Sequence, residues 1–251
     1  MANIKFEECF LKNIDILISV EYLQKIHDRR DGSYEGDYHN NFYCPECLVA
    51  QLSFHPNAQT PHFRSKGKHD EGCSFNFTPI SKKQMNEYCN NHRNRDEINR
   101  KLNSCLDLLN MCNQQPNTGG VRTSNKKIKE NVDYFTVEHK ATRRSIRRKK
   151  LTRAFTKDDY DIPMIFYGTV SLEWDLRNEN VKYLRIRDVN ENAYICSVSV
   201  SNNIYSYIED GLKFDGVKKC DIAFLASMEQ KNNFNNCRIK YSTELVIADR
   251  T

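Results

Sequence analysis

The stretch that decides the fold of the first part of the chain is YCPECLVAQLSFHPNAQTPHFRSKGKHDEGCSF, residues 43–75. It contains three cysteines and three histidines, and its apolar content is thin. Cys44 and Cys47 are spaced Cys-x2-Cys, and His69 and Cys73 follow as His-x3-Cys after 21 intervening residues. Three thiolates and one imidazole at such spacings are the tetrahedral ligand set of a structural Zn²⁺ site. The sequence therefore predicts a zinc-binding module in which the metal takes the place of a core.

Other residues of the stretch leave alternatives open. His55 or His62 could replace His69 as the fourth ligand, and the three cysteines could be ordinary buried thiols. Phe63 and Phe75 flank the second half, and we expect them to pack over the site. A basic run before His69 could contact phosphate or offset the charge of a three-thiolate zinc centre. Its members are Arg64, Lys66 and Lys68.

The segments YCPEC, PHFR and KHDEGC together resemble the N-terminal zinc-finger region of competence-protein CoiA-like bacterial proteins. The resemblance covers residues 10–78, and it implies that Cys44, Cys47, His69 and Cys73 are the metal-linked positions. Members of that family often carry a second histidine directly after the His-Phe-x segment, where this chain has Ser65. Those proteins usually continue into a predicted nuclease domain, so the resemblance raises the hypothesis of a nuclease further along the chain.

Residues 139–153, HKATRRSIRRKKLTR, form a basic band with eight lysines or arginines and no acid, whereas the whole chain carries a net charge of only +5. Such a band is typical of proteins that bind a polyanion, most simply nucleic acid, and the alternative is a solvated charged segment. On a helix, the i,i+4 spacing of four arginines would bring them to one side. We expect phosphate contacts from Arg143, Arg144, Arg147, Arg148, Lys149 and Lys150.

Between the zinc stretch and the band, the sequence predicts an amphipathic helix. Ser81 and Gln84 have capping-box spacing. Apolar residues then recur at steps of three and four. They are Ile98, Leu102, Cys105, Leu106, Leu109 and Cys112. A second metal site built from Cys89, His92, Cys105 and Cys112 is the less favoured interpretation of the cysteines.

The boundaries of three parts follow from these patterns. Pro116, Gly119 and Gly120 mark a linker. We predict a zinc-binding module with a helical extension in residues 1–115, a linker with the basic band in residues 116–160, and a β domain in residues 161–251. The fold class is therefore α+β.

From residue 162 onward the chain reads as β structure. The runs IPMIFYGTVSLEW, VKYLRIRD and NAYICSVSVS are three strands, and NNIYSYIEDG is a short helical interruption. KKCDIAFLASM and NCRIKYSTELVIAD read as two more strands. Three strands, a helix and two strands is the order of an OB-like small β-barrel, a fold that commonly binds oligonucleotides. Another small barrel or an α+β domain used for protein contacts is the alternative.

The second of these strands has a face suited to nucleic acid. Alternation places Leu184 and Ile186 inward, so Tyr183, Arg185 and Arg187 point outward. An aromatic ring beside two guanidinium groups can stack a base and hold its phosphates. A solvent-facing strand with ordinary cross-strand pairs is the alternative interpretation.

One pattern raises a catalytic hypothesis. VDYFTVEHK, residues 132–140, ends in Glu138-His139-Lys140, and Glu-x-Lys is a pattern of nucleases in which the carboxylate holds Mg²⁺ and the lysine orients water. Asp133 or Asp96 would have to supply a second carboxylate. Asp133 would face away from Glu138 on a strand, and the basic band takes the place of the strand and helix that such a nuclease core requires.

The function that these patterns favour is a zinc-stabilised nucleic-acid-binding adaptor of bacterial or phage origin, with structural Zn²⁺ and no assigned reaction. A metal-dependent nuclease using Glu138 and Lys140 is one alternative, and a protein–protein adaptor without nucleic-acid affinity is the other. No apolar run approaches the ~20 residues of a membrane span, and the charged start does not read as a signal peptide. We expect a cytoplasmic protein whose ten cysteines are thiols or metal ligands.

Overall fold

The computed structural model describes residues 5–113, 135–151, 155–208 and 213–249. They form a mixed α+β protein with more strand than helix, which confirms the predicted class. The chain divides into two compact units. The first takes residues 1–78, 110–138 and 143–145, and the second takes residues 79–109, 139–142 and 146–251. The predicted linker residues Pro116, Gly119 and Gly120 lie outside the described residues.

Two small antiparallel sheets and one α-helix form the part of the first unit that ends at Thr78. Their bounds are β1 Lys5–Phe6, β2 Glu8–Leu11, β3 Ile16–Ser19, α1 Val20–Arg29, β4 Phe42–Tyr43, β5 Leu52–His55 and β6 His62–Ser65. One sheet has the order β1-β6-β5 and the other β3-β2-β4. Helix α1 follows β3 directly, because Ser19 at the end of β3 caps it by accepting a hydrogen bond from the Tyr22 amide.

The first unit has a hydrophobic core of its own, which corrects the expectation that a metal stands in for one. Apolar residues missing from the 43–75 stretch come from the strands before it, including Phe6 and Leu11. They join Phe42, Leu52 and Phe63 from the stretch and its approach. Cys44, Cys47 and Cys73 are buried within the same cluster. The cysteine cluster is thus part of the core.

Two helices stand where the sequence predicts an amphipathic helix. Helix α2 is Lys82–Asn90 and helix α3 is Arg95–Asn113. The capping box of Ser81 and Gln84 is confirmed, since each side chain bonds the other residue's backbone amide. The predicted apolar stripe is buried at Ile98, Leu102, Cys105, Leu106 and Leu109, while the side chain of Cys112 lies outside the described residues. Helix α2 and the part of α3 up to Leu109 belong to the second unit, which begins after Thr78.

The basic band forms strands, and the interpretation of its arginines as one side of a helix is wrong. Strands β7 (Thr136–His139) and β8 (Thr142–Ser145) form a two-stranded sheet, and Lys140 and Ala141 between them both have left-handed backbone angles. Strand β9 (Arg147–Lys150) pairs in parallel with β10 (Pro163–Asp175). Successive side chains of a strand alternate between faces, so the arginines do not form one row.

An eight-stranded sheet dominates the second unit. The further bounds are β11 Val181–Asp188, β12 Tyr194–Ser201, α4 Asn202–Ser206, β13 Val217–Ser227, β14 Glu229–Lys231, β15 Phe234–Arg238 and β16 Leu245–Asp249. The strand order is β14-β15-β12-β11-β10-β13-β16, with β9 added beside β10. Among the described residues the sheet does not close into a barrel, because β14 and β16 remain its ends.

The predicted strands and the helical interruption are confirmed at β10 to β13 and α4. The run NCRIKYSTELVIAD, predicted as one strand, instead forms the end of β15 and the whole of β16, with a 3₁₀ turn at Ser242–Glu244 between them. The short strand β14 was not predicted.

Alternate residues of β10 and the predicted inward residues of β11 form the core of this sheet. Phe166, Val170 and Leu172 are fully buried, as are Leu184 and Ile186. On the other face of β10, Tyr167 and Ser171 are buried as well. Strand β10 is therefore covered on both faces at these positions.

Candidate metal centre and strand-face pocket

Four side chains of the first unit form a cluster that could hold a metal ion. They are Cys44, Cys47, His69 and Cys73, and their ligand atoms all lie within 4.8 Å of one another. The Sγ atoms of Cys44 and Cys73 are 3.9 Å apart, and His69 Nδ1 lies 3.6 Å from Cys47 Sγ and 3.4 Å from Cys73 Sγ. It is the sole cluster of this kind among the described residues, and neither His55 nor His62 belongs to it.

A tight turn positions the first two cysteines. The Cys44 amide donates to the Ala50 carbonyl at 2.8 Å, and the Leu48 amide donates back to the Cys44 carbonyl at 3.0 Å. Leu48 has a left-handed backbone with φ of 57°, which lets the chain reverse just after Cys47. The Glu46 amide points at Cys44 Sγ from 3.4 Å. Backbone N–H groups aimed at sulfur stabilise a thiolate, so the turn prepares the site for a cation.

Glu46 ties the two halves of the cluster together. Its carboxylate accepts hydrogen bonds from the Ser74 amide at 2.6 Å and from the Ser74 hydroxyl at 2.7 Å. Ser74 directly follows Cys73, so the Cys-x2-Cys turn and the His-x3-Cys segment are held in register by one buried carboxylate. Sequence reasoning missed this link, because nothing in the spacing pairs residues 28 positions apart.

The three sulfurs are electrostatically coupled. Hydrogen bonds with Cys44 and Cys73 lower the pKa of the Cys47 thiol far below its ordinary value. Burial raises the pKa of Cys44, and the hydrogen bond with Cys44 raises the pKa of Cys73. The three sulfurs therefore differ in how readily they lose a proton. A metal ion that binds all three as thiolates must displace any thiol protons, so binding is coupled to pH.

An aromatic layer covers His69. The ring of Phe6 stacks on His69 with centroids 5.8 Å apart, and Phe75 lies 5.5 Å from the same ring. Phe75 therefore packs over the site, as the sequence predicts. Phe63 lies instead against Phe42 and Phe54, at 5.3 and 5.1 Å.

The residues of the basic band lie in varied surroundings. Lys149 is buried, and its ammonium is 3.4 Å from the Asp159 carboxylate. Arg143 lies over the Phe77 ring at 5.3 Å. Arg144 has a buried Nε atom without a hydrogen-bond partner, while Arg147 is half-buried. Arg148 and Lys150 are half-buried as well. These side chains therefore do not share one kind of environment.

The outward face of β11 borders a surface pocket of about 480 Å³. Two of the three residues predicted on that face line it, namely Arg185 and Arg187, whereas Tyr183 does not. The other lining residues come from β12, from β15 and from the end of β14, and sequence reasoning missed them because they belong to strands far apart along the chain. They are Tyr194, Ser197, Lys231, Asn232, Phe234 and Asn236.

The pocket combines cations with aromatic rings. Phe234 is 56% exposed and meets the ring of Tyr194 edge-on with centroids 5.5 Å apart. Behind the pocket, Asp175 accepts a hydrogen bond from Arg185 at 2.5 Å, and hydrogen bonding to Arg177 lowers the pKa of Asp175 well below its usual range. The Asp175 carboxylate therefore holds Arg185 and Arg177 in place. The lining residues themselves include three cations and no acid.

The Glu-x-Lys pattern does not lie on one strand. Glu138 is exposed near the end of β7, but Lys140 stands in the turn after it with a φ of 51°. Lys140 Nζ is 3.1 Å from the Glu87 carboxylate, which also binds His139 at 2.9 Å. The predicted second acid Asp133 lies outside the described residues. Lys140 is therefore paired with Glu87 in this arrangement.

No family model, curated protein or solved structure matches this chain. Within the part of the chain that the structure describes, no helix is both long and apolar enough to cross a membrane. The function has to be inferred from the chemistry of the metal cluster and of the pocket.

Proposed function

We propose that the chain is a zinc-stabilised nucleic-acid-binding protein. In this proposal a structural Zn²⁺ is bound by Cys44, Cys47, His69 and Cys73, and a single-stranded nucleic acid binds at the pocket beside β11. The observation that carries the nucleic-acid part is the pocket itself, with its exposed aromatic ring and its three cations.

The distances within the cluster support zinc. A tetrahedral Zn²⁺ with bonds of about 2.3 Å to sulfur and about 2.0 Å to nitrogen sets sulfurs about 3.8 Å apart, and sulfur and nitrogen about 3.5 Å apart. The corresponding distances here are 3.9 Å for the sulfurs of Cys44 and Cys73, and 3.6 and 3.4 Å from His69 Nδ1 to sulfur. Four protein ligands leave no open position for a substrate, so the role of the ion is structural. The resemblance to the CoiA-like zinc-finger region supports the same ligand set.

The composition of the pocket supports nucleic acid as the ligand. Phe234 and Tyr194 offer ring surfaces to a base, and every base has a face that can stack. Arg187 and Lys231 offer positive charge to phosphates. Asn236 has an amide that can reach the edge of a base. A single strand fits this set better than a duplex, because a duplex keeps the faces of its bases covered.

The strand order supports an OB-like fold for the second unit. Strands β10, β11 and β12 follow one another antiparallel, α4 intervenes, and β13 returns to pair with β10. In an OB fold, which is a partly open Greek-key barrel, the face of the second and third strands binds oligonucleotides. Those strands correspond here to β11 and β12, from which four of the pocket residues come.

The experiment that tests the proposal compares two exposed aromatic residues. Phe234→Ala should weaken the binding of a short fluorescent single strand by roughly 5- to 150-fold, because a stacked base is worth about 1–3 kcal/mol. Tyr207→Ala is the matched control, since Tyr207 is 80% exposed and does not line the pocket. Fluorescence anisotropy at low salt gives both affinities. The fluorescence of Trp174, the single tryptophan, checks that the sheet of each variant is intact.

Two outcomes would overturn the nucleic-acid proposal. Equal affinities for the parent and Phe234→Ala would place binding elsewhere on the chain. Absence of affinity for every nucleic acid at low salt would favour the protein–protein adaptor instead. The nuclease alternative receives no support from the placement of Lys140, which pairs with Glu87.

We infer a cytoplasmic location, because the described cysteines are free thiols and disulfides are rare in that compartment.

A further inference from the structure

The outer face of the β5–β6 hairpin carries a pair of histidines that the zinc cluster does not use. His55 and His62 are directly opposite each other in the register of the two strands. Their rings lie nearly parallel, with an angle of 12° between planes and centroids 5.3 Å apart. His55 is partly exposed, and His62 is 6% exposed.

The hydrogen bonds of His62 leave one ring nitrogen without a partner. Its Nδ1 atom is 2.9 Å from the carbonyl oxygen of Thr60, which can only accept, so Nδ1 carries the proton of that bond. Its Nε2 atom is buried and has no hydrogen-bond partner. Two residues further along β6, the Nε atom of Arg64 is also buried and unpartnered. Unpartnered buried polar atoms are rare in folded proteins, and an ion or water molecule commonly accounts for them.

The charges around this pair favour an anion over a metal cation. Burial lowers the pKa of His55, and electrostatic interactions with His62, Arg64 and Lys66 lower it further. Lys5 of β1 stands opposite Arg64 in the strand register. A cation at this place would meet those charges, and the pair has no third metal-ligating neighbour among the described residues. An oxyanion would instead bring the negative charge that the site lacks.

We propose that His55, His62 and Arg64 form a binding site for a phosphate-type oxyanion on the outer face of the β5–β6 hairpin. One phosphate oxygen accepts a hydrogen bond from Arg64 Nε, and another accepts from His62 Nε2 once that nitrogen has taken up a proton from solvent. His55 stacks on the resulting imidazolium, and Lys66 adds positive charge. This site lies in the first unit and stands independently of the pocket in the second unit.

Histidine side-chain NMR of the intact, metal-loaded chain tests the proposal. Inorganic phosphate is titrated against chloride at constant ionic strength, and the imidazole ¹⁵N and ¹H resonances are followed. We expect phosphate to shift the resonances of His55 and His62 in a saturable manner and to raise the pKa of His55. The resonances of His92, which is exposed on another part of the chain, should not move.

Matched arginine variants show whether the buried Nε atom matters. Arg64→Gln should abolish the saturable shift, while Arg93→Gln, at an exposed arginine, should leave it unchanged. Unchanged His55 and His62 resonances at saturating phosphate would overturn the proposal, and a buried water molecule would then account for the unpartnered atoms. The same shifts in chloride alone would overturn it as well.

A short single-stranded oligonucleotide distinguishes the two sources of phosphate. If the oligonucleotide moves the His55 and His62 resonances and competes with inorganic phosphate, the site holds a phosphate of the nucleic-acid backbone. If phosphate moves them and the oligonucleotide does not, the site holds a free phosphate or a small phosphorylated molecule. Both results support the oxyanion site, and Phe234→Ala, which tests the pocket, should leave the phosphate titration unchanged.

Discussion

At the scale of single residues, Glu46 decides how well the four metal ligands are placed. It is 5% exposed, and it bonds both polar groups of Ser74 beside Cys73. We expect Glu46→Gln to weaken zinc affinity by about 10- to 100-fold without changing the number of ions bound, because groups behind the ligands commonly have effects of that size. Competition with a chromophoric chelator measures the affinity. Glu71→Gln is the control, since Glu71 is exposed in the loop between His69 and Cys73.

His55 should make the stability of the chain sensitive to mild acid. Its pKa is lowered in the folded chain, so the unfolded chain binds more protons in the range just below the ordinary histidine value of about 6.5. Stability contributed in this way is present above that value and is lost as the pH falls through it. We expect thermal unfolding of His55→Gln to lose less stability than that of the parent between about pH 7 and about pH 5. His39→Gln, an exposed control, should follow the parent, and a parent-like pH profile for His55→Gln would count against this interpretation.

The ligand set was the part of the site that the sequence could predict. Spacing favours Cys44, Cys47, His69 and Cys73, because short-range turns determine how two ligands of a pair approach each other, and the structure places His69 and not His55 or His62 beside the sulfurs. Spacing could not predict Glu46 and Ser74, nor the opposition of His55 and His62, because those contacts depend on how segments pair after folding. It also could not predict Phe234 and Lys231, which reach the pocket through the turn between β14 and β15.

At the scale of elements, the turn between β7 and β8 overrides the helical spacing of the basic band. Lys140 and Ala141 both have left-handed backbone angles, with φ of 51° and 57°. Two such residues in succession reverse the chain into a hairpin. Parallel pairing of β9 with β10 then fixes the remaining arginines as strand residues. The i,i+4 spacing gave a wrong prediction here, because the β7–β8 turn and the pairing of β9 with β10 do not depend on the spacing of the arginines.

The turn also offers a test of strand against helix. An alanine in the left-handed region is strained by roughly 1–2 kcal/mol, whereas glycine is not. We therefore expect Ala141→Gly to stabilise the chain by about 1 kcal/mol in thermal unfolding, despite the greater flexibility of glycine in the unfolded chain. A helical band would predict the opposite, since glycine destabilises a helix by about 1 kcal/mol relative to alanine. The sign of the change in melting temperature separates the two structures.

At the scale of the whole molecule, nucleic-acid affinity should depend on the pocket more than on the basic band. If Arg187 and Lys231 each neutralise one phosphate, changing both to Gln should reduce the slope of log affinity against log salt by about 1.4 on a single strand, at about 0.7 per contact. Lys83→Gln is the control, because Lys83 is exposed and does not line the pocket. The contrary outcome is an unchanged slope in the double variant, together with a reduced slope when Arg143 and Arg147 are changed to Gln. It would show that the nucleic acid binds at the basic band and not at the pocket.

The strands β10 to β13, the capping box and the buried stripe of α3 could be predicted because each depends on a local pattern. The open ends of the sheet and the grouping of residues 79–109 with the C-terminal strands could not, because they depend on long-range pairing. The position of β9 is one example. Its sequence Arg-Arg-Lys-Lys has no apolar residue, and it becomes a strand only through its parallel partner β10.

The metal content of the purified chain tests the central claim most directly. Protein prepared without chelator should contain one zinc ion per chain by elemental analysis, and Cys47→Ser should lose most of it. Thiol titration under native conditions should then show that Cys44, Cys47 and Cys73 are protected in the parent and become reactive when a strong chelator removes the metal. A folded parent chain that contains no zinc, and whose three thiols react equally with and without chelator, would contradict the account.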